Sequence, residues 1–213
     1  MNFIMVEDHN LVLNGVSKII EEKTAFKCAG TFSAPGQAKA FLADYCKKDY
    51  EPLICIIDIN LKDSEEECAL GEDGLSLIKF IKDTYTNIFC LCYSMYKGSG
   101  IVEQAVKAGA DGYVSKKAGL DVILQAMEKV GTGKFYLEES LTSDYVVYTN
   151  LFNCLTNREK ELVELFFQKK DDEEIAQIMG IKIHAVDNYM TRIISKLGVV
   201  SKKELLQKFG DII

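Results

Sequence analysis

Five side chains that can bind a cation or an anion stand at the ends of short apolar runs. Glu7 and Asp8 follow the first run, Asp58 closes the third, Ser94 closes the fourth and Lys116 follows the fifth. Carboxylates held close together raise each other's pKa, and a divalent cation with oxygen ligands, usually Mg2+, relieves the repulsion. A hydroxyl group and a lysine beside that cation would bind an anion. These residue types together predict a site for a phosphoryl group.

The elements that must position these side chains are strands alternating with helices. The runs rich in branched and aromatic residues are 2–6, 27–32, 53–58, 88–94 and 111–115. Between them lie longer stretches whose apolar residues are three and four apart, which is the helical spacing. The alternation predicts an α/β fold, a doubly wound five-stranded parallel sheet with helices on both faces. Because the functional crevice of such a sheet lies at the carboxyl ends of its strands, the five side chains are expected to meet there.

Composition and charge narrow the class of protein. The 213 residues carry a net charge of −7, all of it in residues 1–150, whereas residues 151–213 hold ten basic and ten acidic side chains. No apolar run reaches the roughly 18 residues of a transmembrane helix, and the acidic N-terminus does not resemble a secretory signal. The seven cysteines show no metal-binding spacing. Their pattern is typical of buried thiols in a reducing compartment, so a cytoplasmic protein without a membrane partner is expected.

Residues 1–130 resemble the receiver domain of two-component response regulators. The stretches that match are the acidic pair at 7–8, Asp58 with Asn60 two residues later, Ser94, and "GADGYVSK" at 109–116. The resemblance implies that Asp58 accepts a phosphoryl group from a sensor histidine kinase. It also implies a phosphoacceptor that dephosphorylates itself, rather than an enzyme acting on an outside substrate. The alternative is a domain that keeps the acids without using them, but such domains usually lack one of these residues.

The same resemblance assigns a role to each residue of the site. It implies that Mg2+ is held by the carboxylates of Glu7, Asp8 and Asp58 and by the main-chain carbonyl of Asn60. Three further residues complete the implied site: Ser94 and Lys116 bind the phosphoryl oxygens, and Tyr113 changes rotamer on activation.

The loop after Asp58 departs from the receiver pattern. Lys62 stands where receivers commonly have a proline, and the matching glycine, Gly74, comes sixteen residues after Asp58, later than usual. The acidic segment "KDSEEECALGE" at 62–72 holds most of this insertion. Either the insertion is a tolerated surface loop, or its acids repel wrong kinases or alter the affinity for Mg2+. Met95 is also larger than the residue often found there, and it either narrows access to the phosphoryl group or only packs.

The character of the chain changes after residue 130. Residues 131–153 lose the strand–helix rhythm and are predicted to be a linker, with or without a short helix. Residues 154–213 are predicted to form a small all-α domain of closely spaced helices. The residues expected to begin or end these helices are Thr156 with Glu159, Asp171 or Asp172, Gly180, Gly198 and Ser201.

Residues 155–208 resemble the helix-turn-helix output domain of the NarL/FixJ (LuxR-type) regulators, through "LTNREKELVELF", "EEIAQIMGI", "AVDNYMTRIISKLGV" and "KKELL". The resemblance implies that the helix over 182–197 lies in the DNA major groove and that the preceding helix braces it. The side chains expected to face DNA are Lys182, His184, Asp187, Asn188, Thr191, Arg192 and Lys196. Those expected to face the core are Ile183, Val186, Ile193, Ile194 and Leu197.

Acidic residues on this output domain leave two functions open. Asp172, Glu173 and Asp187 stand where the family commonly has basic or amide side chains, and acids there weaken attraction to phosphates. Asp187 could instead accept a hydrogen bond from cytosine N4. The main hypothesis is a DNA-binding transcription regulator that dimerises when phosphorylated. The alternative is a phosphorylation-switched regulator whose helical domain binds a protein partner.

Overall fold

The computed structural model describes residues 1–48, 51–61 and 73–210. The chain divides into two compact units whose main boundary lies between Ser140 and Leu141. The predicted insertion at 62–72, with Lys62, lies outside the described residues, so neither interpretation of it is tested.

The first unit alternates strands and helices as predicted. Its elements are β1 (Asn2–Val6), α1 (Asn10–Lys23), β2 (Lys27–Phe32), α2 (Pro35–Lys48), β3 (Leu53–Ile57), α3 (Gly74–Thr84), β4 (Ile88–Ser94), α4 (Ser99–Ala108), β5 (Gly112–Ser115), α5 (Leu120–Val130) and β6 (Tyr136–Leu137). The strands form one sheet in the order β2-β1-β3-β4-β5-β6, and every neighbouring pair is parallel. The α/β fold with a parallel sheet is therefore confirmed.

The number of strands differs from the prediction, because the described residues form six rather than five. The sixth strand pairs Tyr136 and Leu137 with Gly112 and Tyr113 of β5. Two contacts fix this strand: the Tyr136 N–H donates to the Asp111 carbonyl at 3.1 Å, and the Tyr136 ring is buried in the core. A strand of two residues has no periodicity by which a sequence could reveal it.

The centre of the sheet is fully apolar, which is why the acids at its edge stand out. All five residues of β3 are buried, as are four of the five in β1. Strands covered on both faces by helices need apolar side chains on both faces. Asp58 follows β3 directly, so its carboxylate comes at the first position where the apolar run ends.

The second unit is a cluster of helices. These are α6 (Glu139–Asn153), α7 (Asn157–Phe167), α8 (Asp172–Met179), α9 (Ile183–Leu197) and α10 (Lys202–Phe209). Residues 131–153, predicted to be a linker with or without a short helix, contain β6 and the fifteen-residue α6. Tyr148 and Phe152 of α6 are buried in the helical core with their rings stacked 4.2 Å apart. Aromatic residues four apart thus make α6 part of a packed unit.

Local capping interactions set the helix boundaries where they were predicted. Thr156 and Glu159 form the expected capping box at α7, and Asp171 accepts from the Glu174 N–H at 2.8 Å to begin α8. The remaining predicted caps are also present, with Gly180 and Gly198 left-handed at the ends of α8 and α9 and Ser201 capping α10. These interactions satisfy backbone groups that a helix end leaves without an intrahelical partner.

The buried face of α9 differs from the predicted one at the first residue of the helix. Val186 and Ile193 are buried as expected, and Ile194 and Leu197 are half-buried against the core; Ile183, by contrast, is 50% exposed. The prediction that Ile183 faces the core is therefore wrong, and Met190 fills a core position instead. Residues 186, 190 and 193 keep the spacing of four and three that one helix face requires.

Candidate functional site

The carboxyl ends of β1 and β3 bring the predicted acids to one edge of the sheet. The Asp58 N–H donates to the Val6 carbonyl at 3.0 Å, so the two strands stay paired up to the acids. Glu7 is fully buried and Asp58 is 4% exposed. Burying an ionised carboxylate is costly unless a charge or hydrogen bond compensates it. The structure therefore has to supply a compensating cation at this edge.

Lys116 supplies that cation from the end of β5. Its Nζ atom lies 2.6 Å from Asp58 Oδ2 and also forms an ion pair with Glu7 Oε2. The Lys116 N–H donates to the Ser94 carbonyl at 2.8 Å, which extends the β4–β5 pairing to this residue. Burial alone would lower the pKa of Lys116, but its bonds to Asp58 and Glu7 outweigh burial and raise the pKa. The ammonium group therefore stays charged between two buried carboxylates.

His9 is a neighbour of the acidic pair that the sequence interpretation missed. Its Nδ1 atom lies 3.0 Å from Glu7 Oε1 and 2.7 Å from Asp8 Oδ1. The hydrogen bond with Glu7, followed by the charge of Asp8, raises the pKa of His9. Ligand atoms of Glu7, Asp8 and His9 all lie within 4.8 Å of one another. The only sequence signal was that the histidine directly follows the acids.

Backbone contacts fix the position of the Asp58 carboxylate. The Asn60 N–H donates to Asp58 Oδ1 at 3.2 Å, and the Gly74 N–H donates to the Ile59 carbonyl at 3.2 Å. A Cβ atom at Gly74 would lie 2.0 Å from the Asp58 carbonyl oxygen. The first residue of α3 therefore touches the backbone of Asp58, and only glycine permits that approach.

The residues predicted to face DNA lie along α9, but one of them, Lys196, is already paired with an acid. Lys182 is the N-cap, and the six predicted residues beyond it on α9 are exposed: His184, Asp187, Asn188, Thr191, Arg192 and Lys196. The Thr191 hydroxyl donates to the Asp187 carbonyl at 2.8 Å. Lys196 differs from the prediction of a phosphate contact, because its Nζ atom is 2.7 Å from Glu159 Oε2.

One of the unexpected acids on the second unit, which is the predicted output domain and is called the output unit below, is neutralised within that unit. The Asp172 carboxylate at the start of α8 is 2.7 Å from Lys202 Nζ at the start of α10. Both side chains are about one-third exposed. The charge of Asp172 is therefore offset by a neighbouring cation, and its repulsion of a phosphate is smaller than the sequence suggested.

Comparison with protein families identifies both parts of the chain. Residues 3–128 match the response regulator receiver domain, and residues 153–209 match the bacterial regulatory proteins of the luxR family. The chain is a response regulator. Its receiver domain precedes a LuxR-type regulatory domain, which confirms the predicted family and favours the DNA-binding hypothesis over a protein-binding output.

Relatives of this response regulator match it over almost the whole chain. The transcriptional regulatory protein DesR of Bacillus subtilis is 29% identical over 208 residues, 98% of this chain and 96% of DesR. The oxygen regulatory protein NreC of Staphylococcus aureus is 26% identical over 220 residues, 97% of this chain and 95% of NreC. RcsB of Salmonella enterica serovar Typhimurium, bound to a promoter with the phosphomimetic BeF3−, has the same fold (TM-score 0.65, 24% identity, 100% and 99% covered). No described helix of this response regulator is long and apolar enough to cross a membrane.

Ser94 and Tyr113 of the response regulator are linked through the backbone of Tyr96. The buried Ser94 hydroxyl accepts from the Tyr96 N–H at 3.3 Å, and the Tyr113 hydroxyl donates to the Tyr96 carbonyl at 2.9 Å. Burial raises the pKa of Tyr113, so its phenol keeps the proton that it donates. Met95, between Ser94 and Tyr96, is 54% exposed, so core packing does not explain its size.

The Lys196–Glu159 pair in the output unit gives a prediction for the pH dependence of stability. Burial alone would raise the pKa of Glu159, but bonds from Lys196 and Thr156 outweigh burial and lower it. The resulting stabilisation is present above the usual pKa and is lost as the pH falls through the lowered folded-state value. Glu159→Gln is expected to cost about 1 kcal/mol of unfolding free energy at pH 7. Urea unfolding from pH 7 to pH 3 should show the unfolding free energies of the wild type and Glu159→Gln converging.

Glu161→Gln is the matched control for this measurement. Glu161 forms an exposed pair with Arg158 at 2.9 Å on the same helix, α7. Exposed pairs of this kind contribute little to stability. An equal effect of the two substitutions, or a difference at Glu159 that persists at pH 3, would contradict the role given to the Lys196–Glu159 pair.

Proposed function

We propose that this response regulator is a transcription regulator that a histidine kinase switches by phosphorylating Asp58. The observation that supports this most is the position of Lys116, which bridges Asp58 and Glu7 at the carboxyl edge of the sheet. The ammonium group holds Asp58 in place before reaction. It is also placed to pair with an oxygen of a phosphoryl group once Asp58 carries one.

The chemistry at Asp58 is an attack of a carboxylate oxygen on the phosphorus of a phosphohistidine. The new P–O bond forms as the P–N bond breaks, and the imidazole leaves. Because the transition state of phosphoryl transfer is loose, the protein contributes mainly positioning and neutralisation of charge. Asn60 and Lys116 position the carboxylate. The Ser94 and Tyr113 hydroxyl groups both bond to the backbone of Tyr96, so a change in the Tyr113 rotamer would report phosphorylation. Later hydrolysis of the acyl phosphate at the same site returns the switch to its resting state.

The acidic edge of the sheet also fits Mg2+. Glu7 and Asp58 share the single ammonium group of Lys116, and Asp8 lies beside Glu7, with ligand atoms of Glu7, Asp8 and His9 within 4.8 Å of one another. Mg2+ prefers hard oxygen ligands, and the carboxylates of Glu7, Asp8 and Asp58 with the Asn60 main-chain carbonyl would supply them. When bound, the ion would neutralise charge on the transferred phosphoryl group.

The output unit would bind DNA through α9, with α8 bracing it across the backbone. The exposed row of polar side chains on α9 supports this, as does the ion pair that offsets the charge of Asp172. Asp187, as an acceptor, suits cytosine N4, whereas Lys182 and Arg192 suit phosphates or guanine. Phosphorylation would favour a homodimer, whose two output units would contact two half-sites. A regulator that binds chromosomal DNA would act in the cytoplasm.

The salt dependence of DNA affinity tests the proposed output. Affinity for duplex DNA, measured with BeF3− and Mg2+ between 50 and 200 mM salt, should fall steeply because phosphate contacts release counterions. Arg192→Ala should reduce the slope of log K against log salt by about 1 if Arg192 contacts a phosphate. Arg158→Ala on α7, the other arginine of the chain, is the matched control and should leave the slope unchanged. Absence of DNA binding at any salt, with or without BeF3−, would overturn the proposal and favour a protein partner.

A further inference from the structure

Ile183 is an apolar side chain left exposed at the start of the proposed recognition helix. It is the first residue of α9 and is 50% exposed. It is also absent from the half-buried hydrophobic residues that pack against the helical core, whereas Ile194 and Leu197 are among them. Val186 and Met190 fill the core positions of this end of the helix. The core therefore does not account for an isoleucine at position 183.

The neighbours of Ile183 on the helix surface are polar. Residues four apart on a helix form a row, and Ile183 heads the row that continues with Asp187 and Thr191. Lys182 and His184, on either side of it in the sequence, are exposed as well. The Thr191 hydroxyl proton is already donated to the Asp187 carbonyl. The row thus offers DNA the branched apolar side chain of Ile183, the carboxylate acceptor of Asp187 and, at Thr191, a methyl group and a hydroxyl oxygen that can accept.

The position of Ile183 is one at which recognition helices contact bases. Residues at the N-terminal end of a helix in the major groove lie closest to the base edges. An isoleucine has no donor or acceptor, so it cannot distinguish bases by hydrogen bonding. Among the four bases, only thymine presents a methyl group in the major groove.

We infer that Ile183 recognises one thymine of each half-site by packing against its C5 methyl group. This inference rests on the proposed binding of DNA by α9. Removing one methyl group from such a contact loses the free energy of burying about one carbon, so the expected change in affinity is about threefold to fivefold per contact. The methyl group is the only atom group that separates thymine from uracil, which allows the contact to be tested on the DNA itself.

The experiment begins with selection of binding sequences from a random duplex library by the full-length protein with Mg2+ and BeF3−. In the selected sequence, each thymine is replaced singly by deoxyuridine, and affinities are measured for wild type and Ile183→Ala. Each half-site should contain one thymine whose replacement weakens wild-type binding by about threefold to fivefold. Ile183→Ala should bind the thymine and uracil duplexes equally, because the two changes remove the same contact.

Ile178→Ala is the matched control, since Ile178 on α8 is 54% exposed. It should keep the wild-type preference for thymine. Failure to select any sequence would overturn the proposed DNA binding together with this inference. Selection of a sequence whose affinity is indifferent to every uracil replacement would overturn the inference alone. A thymine preference that Ile183→Ala retains, or that Ile178→Ala loses, would also overturn it.

Discussion

Asp58→Asn is expected to abolish phosphorylation of the receiver unit. The amide keeps the shape of the side chain, and its oxygen can still accept a hydrogen bond from the Asn60 N–H, but that oxygen carries no negative charge and is a far weaker nucleophile. The fold should persist, because Lys116 still pairs with the buried Glu7 carboxylate. Intact-mass spectrometry after incubation with acetyl phosphate and Mg2+ should show one added phosphoryl group on the wild type and none on the variant.

Asp121→Asn is the control for this experiment. Asp121 is an exposed acid in the first turn of α5 and is not one of the predicted site residues. Its substitution should leave phosphorylation unchanged. Uptake of a phosphoryl group by Asp58→Asn at the wild-type rate would show that another residue is the acceptor.

Gly74→Ala is expected to destabilise the receiver unit and to slow phosphorylation of Asp58. The added Cβ atom would lie 2.0 Å from the Asp58 carbonyl oxygen and 2.7 Å from Ile59 Cα, both of them backbone atoms that cannot rotate away. Either α3 or the end of β3 must move, at a cost of about 3 kcal/mol or somewhat more. Because small displacements of a reacting group lower rates strongly, a fall of about 10-fold to 100-fold in phosphorylation is expected.

Gly15→Ala separates this contact from a general effect of replacing glycine. Gly15 is an exposed residue within α1, and a Cβ atom there would have nothing within 4 Å. Alanine is favoured over glycine inside a helix, so this variant should be more stable by about 0.5–1 kcal/mol. Urea unfolding and the rate of acetyl phosphate uptake, measured on both variants, check the two results. Wild-type stability and rate in Gly74→Ala would contradict the close approach of α3 to Asp58.

Residues whose positions follow from periodicity or local chemistry were predictable from the sequence. The ends of parallel strands share one edge of the sheet, so the meeting of Glu7, Asp58 and Lys116 followed from where the apolar runs end. The caps at Thr156 and Asp171 were equally predictable, because a cap depends on residues three positions apart. In both cases the information lies within a short segment or in the topology of the fold.

Contacts between residues distant in sequence could not be predicted in the same way. Lys196 was expected to face phosphates, but its partner Glu159 lies 37 positions earlier. Nothing in the α9 sequence reveals that pair. The core face of α9 includes Met190 and omits Ile183 because the neighbouring helices determine where the buried stripe begins. The extra strand at Tyr136 depends likewise on a neighbour, since β5 supplies its hydrogen-bonding partners.

Phosphorylation of the receiver is expected to gate DNA binding by the output unit. The most direct test incubates the purified protein and Mg2+ with sheared genomic DNA of its own organism, with and without BeF3−, and sequences the retained fragments. A phosphorylation-gated regulator should enrich a few sites with two-fold symmetry, and more strongly with BeF3−. No enrichment in either state, with BeF3− shown to bind, would contradict this expectation.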